Sequence, residues 1–151
     1  MQIEFSREQY RSLMKAVEIG DAVYGILGDL VDKKYKKDSD KIQELQTYLL
    51  SKAADFRSKD LMEIFNGHVI TSDKFGGQME DVLYDYDNDV FWEELEKRLG
   101  KRDFYRNMTV EEKAESEKLD WLPERVHEFY EQWRKEFEDF GVNRLEVNKD
   151  F

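Results

Sequence analysis

The chain contains no cysteine. Disulfides, thiolate metal sites and cysteine nucleophiles are therefore outside its chemistry. Nowhere do 18 apolar residues follow one another, so no stretch reads as a membrane-spanning helix. Histidine is scarce: His68 and His127 are the only two, and neither has a second histidine at helical zinc spacing. His68 lies near Thr71, Ser72 and Asp73. A Ser/His/Asp grouping can be written down there, but without the turn pattern that presents a nucleophile. Gly20, Gly25 and Gly28 are not a phosphate loop, because no strand precedes them and no Lys-Ser/Thr follows. Met1-Gln2-Ile3-Glu4-Phe5 has neither the basic nor the apolar region of a secretory leader, and the expected location is the cytoplasm.

Acid and aromatic residues are what the chain has in quantity. It carries 10 Phe, 8 Tyr and 3 Trp in 151 residues, with 39% charged residues and 40% hydrophobic ones. That balance argues against both a membrane protein and a disordered one. A chain of this length reads as one domain, residues 1–151, able to bury about 68–70% of its unfolded surface. The formal net charge is −11. Residues 1–75 hold 13 acids and 12 bases, net −1, and residues 76–151 hold 22 acids and 12 bases, net −10. Such a field repels nucleic-acid phosphates and anionic lipid and attracts cations or basic proteins. Lys33–Lys37, with Tyr35 inside it, is the one basic run. It reads as an inter-helix loop, not a nucleic-acid contact, because no basic face accompanies it.

Apolar residues recur at helical spacing along most of the chain. Ser6 with Gln9 makes a capping box, so a helix is expected from Arg7, its apolar rows running to Val31. Asp40 with Gln43 reads as the next cap, for a helix reaching about residue 57, and Ser58 as the cap of a short turn. Asn66-Gly67 stops that turn, and His68–Thr71 has strand character. A third helix is expected around Met79–Tyr86, punctuated by Asp87-Asn88-Asp89. A fourth then follows from Phe91 to Leu99, ended by Gly100. Thr109 with Glu112 is another capping box, and Pro123 fits the first turn of a last helix running to Phe140. Ile3–Phe5 and Leu145–Val147 alternate like strands and could pair. The fold expected is mainly α: five or six helices in one bundle, with a minor two-stranded β ribbon formed by the termini. The first and last helices are expected to be core neighbours.

Two constellations stand out. Asp85, Asp87 and Asp89 with Glu96 fall at positions 1, 3, 5 and 12, the ligand spacing of a helix–loop–helix calcium site. Val90 occupies position six, where the loop needs glycine, and the alternative reading is a helix cap. More broadly, Glu80 to Glu96 contains eight acids and no base. Glu80, Asp81, Asp85, Asp87, Asp89 and Glu93 are therefore the expected partner-binding residues. Trp121, off the apolar stripe of the last helix, joins them as an interface anchor. No cofactor is implied. The function expected is a non-catalytic cytoplasmic protein-binding module, of inhibitor or immunity-like character, for a basic protein partner. The alternatives are a divalent-cation-binding protein or metal-dependent enzyme built on those carboxylates, and a nucleic-acid mimic.

Overall fold

A computed structural model describes residues 3–119 and 121–146. Among them the fold is mainly helical, with five α-helices and a small two-stranded antiparallel sheet. In chain order these are α1 (Arg7–Ile26), α2 (Lys36–Ser51), β1 (Met62–Phe65), β2 (His68–Thr71), α3 (Asp73–Arg106), α4 (Val110–Leu119) and α5 (Val126–Phe140). The chain groups into two compact units, one up to Asp85 and one from Tyr86 onward.

In the first unit α1 opens on the expected capping box. The Gln9 N–H donates to Ser6 Oγ at 3.2 Å, and the Ser6 N–H donates to Gln9 Oε1 at 2.8 Å. The face that α1 buries meets α2, the hairpin region and the first turns of α3, in a core of Tyr10, Met14, Leu50, Ala53, Leu61, Phe75 and Met79. Full burial of a side chain such as Leu50 or Met14 stabilises by about 1.5–3 kcal/mol. Tyr10 stacks on Phe56 at 4.3 Å between ring centres and donates its hydroxyl to the Leu49 carbonyl at 2.7 Å. Its one polar atom is thus satisfied inside the core.

Helix α1 ends earlier than its apolar rows predict. After Ile26 the chain loosens into one π-helical turn, Leu27–Val31. Gly28 lies there against the Lys36 backbone, where a Cβ would come within 3.2 Å. Asp32 then takes the Lys34 N–H at 2.8 Å and starts a 3₁₀ turn, Lys33–Tyr35. Lys36 and Lys37 are consequently the first residues of α2 and not loop residues, and the helix starts four residues ahead of Asp40.

The sheet is the second departure. β1 and β2 form a hairpin with the register Met62–Thr71, Glu63–Ile70, Ile64–Val69 and Phe65–His68. Asn66 and Gly67, both at positive φ, make its two-residue turn, the backbone that Asn-Gly favours between twisted strands. Met62 and Val69 pack on the core. The residues expected to pair at the termini do not supply this sheet. Ile3–Phe5 and Leu145 have no strand conformation, and Val147 lies outside the described residues.

The second unit is built on the later part of α3 with α4 and α5. Asp87-Asn88-Asp89 does not divide α3, which runs unbroken for 34 residues. Asp and Asn cost at most about 0.7 kcal/mol each inside a helix. Between Gly77 and Gly100 there is neither glycine nor proline to stop it. Asn88 also accepts a hydrogen bond from Trp92 Nε1 one turn on, at 3.3 Å. Gly100 lies inside α3 and not at its end, because α5 crosses there. A Cβ on Gly100 would stand 2.6 Å from the Tyr130 ring and 3.0 Å from the Phe129 backbone. Around that crossing Phe104 is fully buried edge-on to Phe129, and Trp92 and Trp133 each lie 5.4 Å from Phe137. The neighbour that α5 buries its stripe against is thus the later half of α3, while α1 buries its own against α2 and the hairpin.

Helix α4 begins at its expected capping box, with the Glu112 N–H on Thr109 Oγ1 at 3.2 Å and the Thr109 N–H on Glu112 Oε2 at 2.8 Å. Pro123 sits three residues before α5, its carbonyl accepting from the Val126 N–H at 3.0 Å. No described helix is long and apolar enough to cross a membrane.

Candidate functional site

The acidic segment is carried entirely by α3. Glu80, Asp81, Asp85, Asp87, Asp89 and Glu93 are all exposed. Glu93 pairs with Lys97 at 2.6 Å and Glu94 with Arg98 at 3.2 Å. Among the described residues the five acids from Glu80 to Asp89 have no cation within salt-bridge distance, so their charge faces water unneutralised. Large apolar surface is exposed among them: Tyr84 at 73%, Tyr86 at 62% and Phe91 at 53%. At 100° per residue, Glu80, Tyr84, Asp87, Phe91 and Glu94 fall in one row along the helix, acids and aromatic rings alternating.

The same geometry corrects the calcium reading. A twelve-residue ligand loop needs irregular backbone, and Asp85 to Glu96 is continuous helix. Two residues along a helix turn it by about 200°, so Asp87 points away from Asp85 and Asp89. Glu96 shares their side but lies about 10 Å further along the axis, at 1.5 Å per residue. Among the described residues no three His, Asp or Glu side chains gather at metal-holding geometry. Glu96 is the half-buried member, and burial raises its carboxyl above the ordinary value while the Arg134 charge opposes the shift.

Trp121 precedes α5 and is 65% exposed. It lines a surface depression of about 400 Å³ with Lys101, Tyr105, Ser116 and Leu122. That places it beside the last turns of α3, eight or more residues beyond Glu93 and apart from the acids with which the sequence grouped it. Among the described residues the histidines are not drawn into a relay. Ser72 donates its hydroxyl to the Asp60 carbonyl at 2.8 Å, and His127 stands edge-on to Tyr130.

A further concavity lies in the first unit. A groove of about 530 Å³ runs between α2 and β2, lined by all four residues of β2 and by Glu18, Gln43, Glu44, Gln46, Thr47 and Leu50. Glu18 is its organising side chain. One carboxylate oxygen, Oε2, accepts from Gln46 Nε2 at 2.8 Å and from Thr71 Oγ1 at 2.9 Å. Neither lysine nor arginine lines the groove. Nearby on α1, burial raises the carboxyl of Asp21 above its ordinary value, and Lys36 opposes the shift. The sequence carries no local signal for this site, since its hydrogen bonds join residues 28 and 53 positions apart.

In the second unit Asp103 accepts from Arg102 Nε at 2.8 Å and from Trp133 Nε1 at 2.9 Å. Those bonds, that from Arg102 foremost, hold its carboxyl below the usual range. Asp103 and Trp133, with Gln132, Glu136 and Arg144, border a depression of about 350 Å³. Charge and partners are matched there, which is what a structural network requires. No family model, curated protein or solved structure matches the chain.

Proposed function

We propose that this chain is a non-catalytic protein-binding module, working in the cytoplasm, that uses the acidic part of α3 to dock a basic protein. An inhibitor or immunity-like role, covering a basic effector, is the specific form. The observation that carries it is the run of five unpaired, exposed acids from Glu80 to Asp89 with Tyr84, Tyr86 and Phe91 exposed beside them. Unpaired acids steer a basic partner and speed its encounter. Exposed tyrosine and phenylalanine supply apolar area, and their ring faces attract arginine or lysine. Asp85 and Asp87 lie on opposite sides of the helix, which favours a partner that embraces α3 over mimicry of a single phosphate strand.

The test is affinity capture from native extract with the wild-type chain and with the triple variant Asp85→Lys, Asp87→Lys, Asp89→Lys. The expected result is a basic protein retained by the wild type, released by salt and lost from the variant. Equal retention by both chains, or retention indifferent to salt, overturns the reading.

A further inference from the structure

We propose that the free edge of β2 accepts an extended, basic polypeptide segment as a third strand, laid in the groove between β2 and α2. The proposal goes beyond the acidic face of α3, because it concerns the backbone edge of β2 and requires only that the chain bind a polypeptide.

The hairpin register fixes which backbone groups are available. A two-residue turn makes Phe65–His68 the hydrogen-bonded pair next to it, and bonding then alternates to Glu63–Ile70. The N–H and C=O groups of Val69 and Thr71 therefore point away from β1. Among the described residues neither makes a backbone hydrogen bond to any other element. The groove is lined by every residue of β2 and by none of β1, so it runs along that open edge. An unpaired edge is a template for another strand. Four residues of added strand span about 13 Å at 3.3 Å per residue, and would meet up to four backbone groups on Val69 and Thr71.

The walls select the charge of the occupant. Glu18 and Glu44 line the groove with no lysine or arginine opposite them. Glu18 is held in place by Gln46 and Thr71 through Oε2 alone, and neither of those bonds uses its other oxygen. A lysine or arginine side chain on the incoming strand meets that arrangement best.

The probe is a blocked nonapeptide alternating lysine and threonine, titrated into the full chain while amide shifts and hydrogen exchange are read residue by residue. The expected result is saturable binding that shifts the Val69 and Thr71 amides and slows their exchange. Methylating every backbone nitrogen of the peptide should weaken binding at least tenfold, as should replacing its lysines with glutamates. Equal affinity of the methylated peptide, perturbation confined to residues 80–96, or no saturable binding each overturns the proposal. The triple lysine variant of α3 separates the two surfaces. Unchanged nonapeptide binding by that variant supports the groove, and lost binding overturns it.

Discussion

Glu112 shows how much one side chain can be asked to hold. Its carboxylate takes Arg125 Nε at 2.6 Å, a second Arg125 nitrogen at 2.8 Å and the Thr109 N–H at 2.8 Å. The Arg125 guanidinium meanwhile lies over the rings of Phe104 and Phe129 and donates to the Asn107 carbonyl at 3.0 Å. One ion pair thus ties the start of α4 to the approach of α5 and covers the buried Phe104. These bonds, that from Arg125 foremost, lower the Glu112 carboxyl from 4.5 to about 2. A carboxyl depressed in the folded state adds stability that is fully present above its unfolded value, and that stability drains away as pH falls toward the folded one. Glu112→Gln should therefore be less stable than the wild type at pH 6. The gap between them should close as pH falls from about 4.5 to about 2, the two values that bound the shift. Denaturant titrations across that range check it, and a gap independent of pH would contradict it.

At the scale of elements, α3 decides most. The chemistry of Asp87-Asn88-Asp89 predicts a cap between two helices, and the fold makes it the middle of one. The two arrangements differ in the sign of a simple measurement. If Asp89 capped a helix, Asp89→Ala would cost about 1 kcal/mol. Inside an exposed helix the same change should instead stabilise by a few tenths of a kcal/mol, because alanine has the higher propensity. Thermal or urea unfolding reads that sign directly.

The contrast shows what a sequence reveals. The capping boxes at Ser6 and Thr109 were legible because both partners lie within four residues. The hairpin was half legible: His68–Thr71 read correctly as strand, whereas Asn66-Gly67 read as the stop of a short turn and is the hairpin's own turn. Met62–Phe65 read as a helical turn, since its short apolar run suits either period. The place of Gly100 depends on α5 crossing α3, and the groove at Glu18 depends on three distant segments meeting. Neither is written in any local spacing. The acids of α3 were legible as a charge run, but their distribution round the helix followed only once the segment was known to be unbroken.

On the scale of the whole molecule the net charge of −11 governs the response to salt. Most of the ion pairs are exposed, as with Lys97–Glu93 and Arg134–Glu131, and exposed pairs contribute about 0–1 kcal/mol. Relief of the general repulsion should therefore outweigh their screening when salt is added. The melting temperature is expected to rise between about 0.01 and 0.15 M sodium chloride, by about 2–4 °C for each kcal/mol of repulsion relieved. A temperature that stays flat or falls with salt would mean that the ion pairs matter more than the excess of acid.

The placement of the indoles has a practical consequence. Trp92, Trp121 and Trp133 all belong to the second unit, while the buried phenol of Tyr10 belongs to the first. Trp92 and Trp133 are half-buried with their N–H groups bonded to Asn88 and Asp103, and Trp121 stands in water. Tryptophan emission therefore originates entirely in the second unit. A collisional quencher will strip the Trp121 signal first, leaving a blue-shifted remainder that reports on the crossing at Gly100.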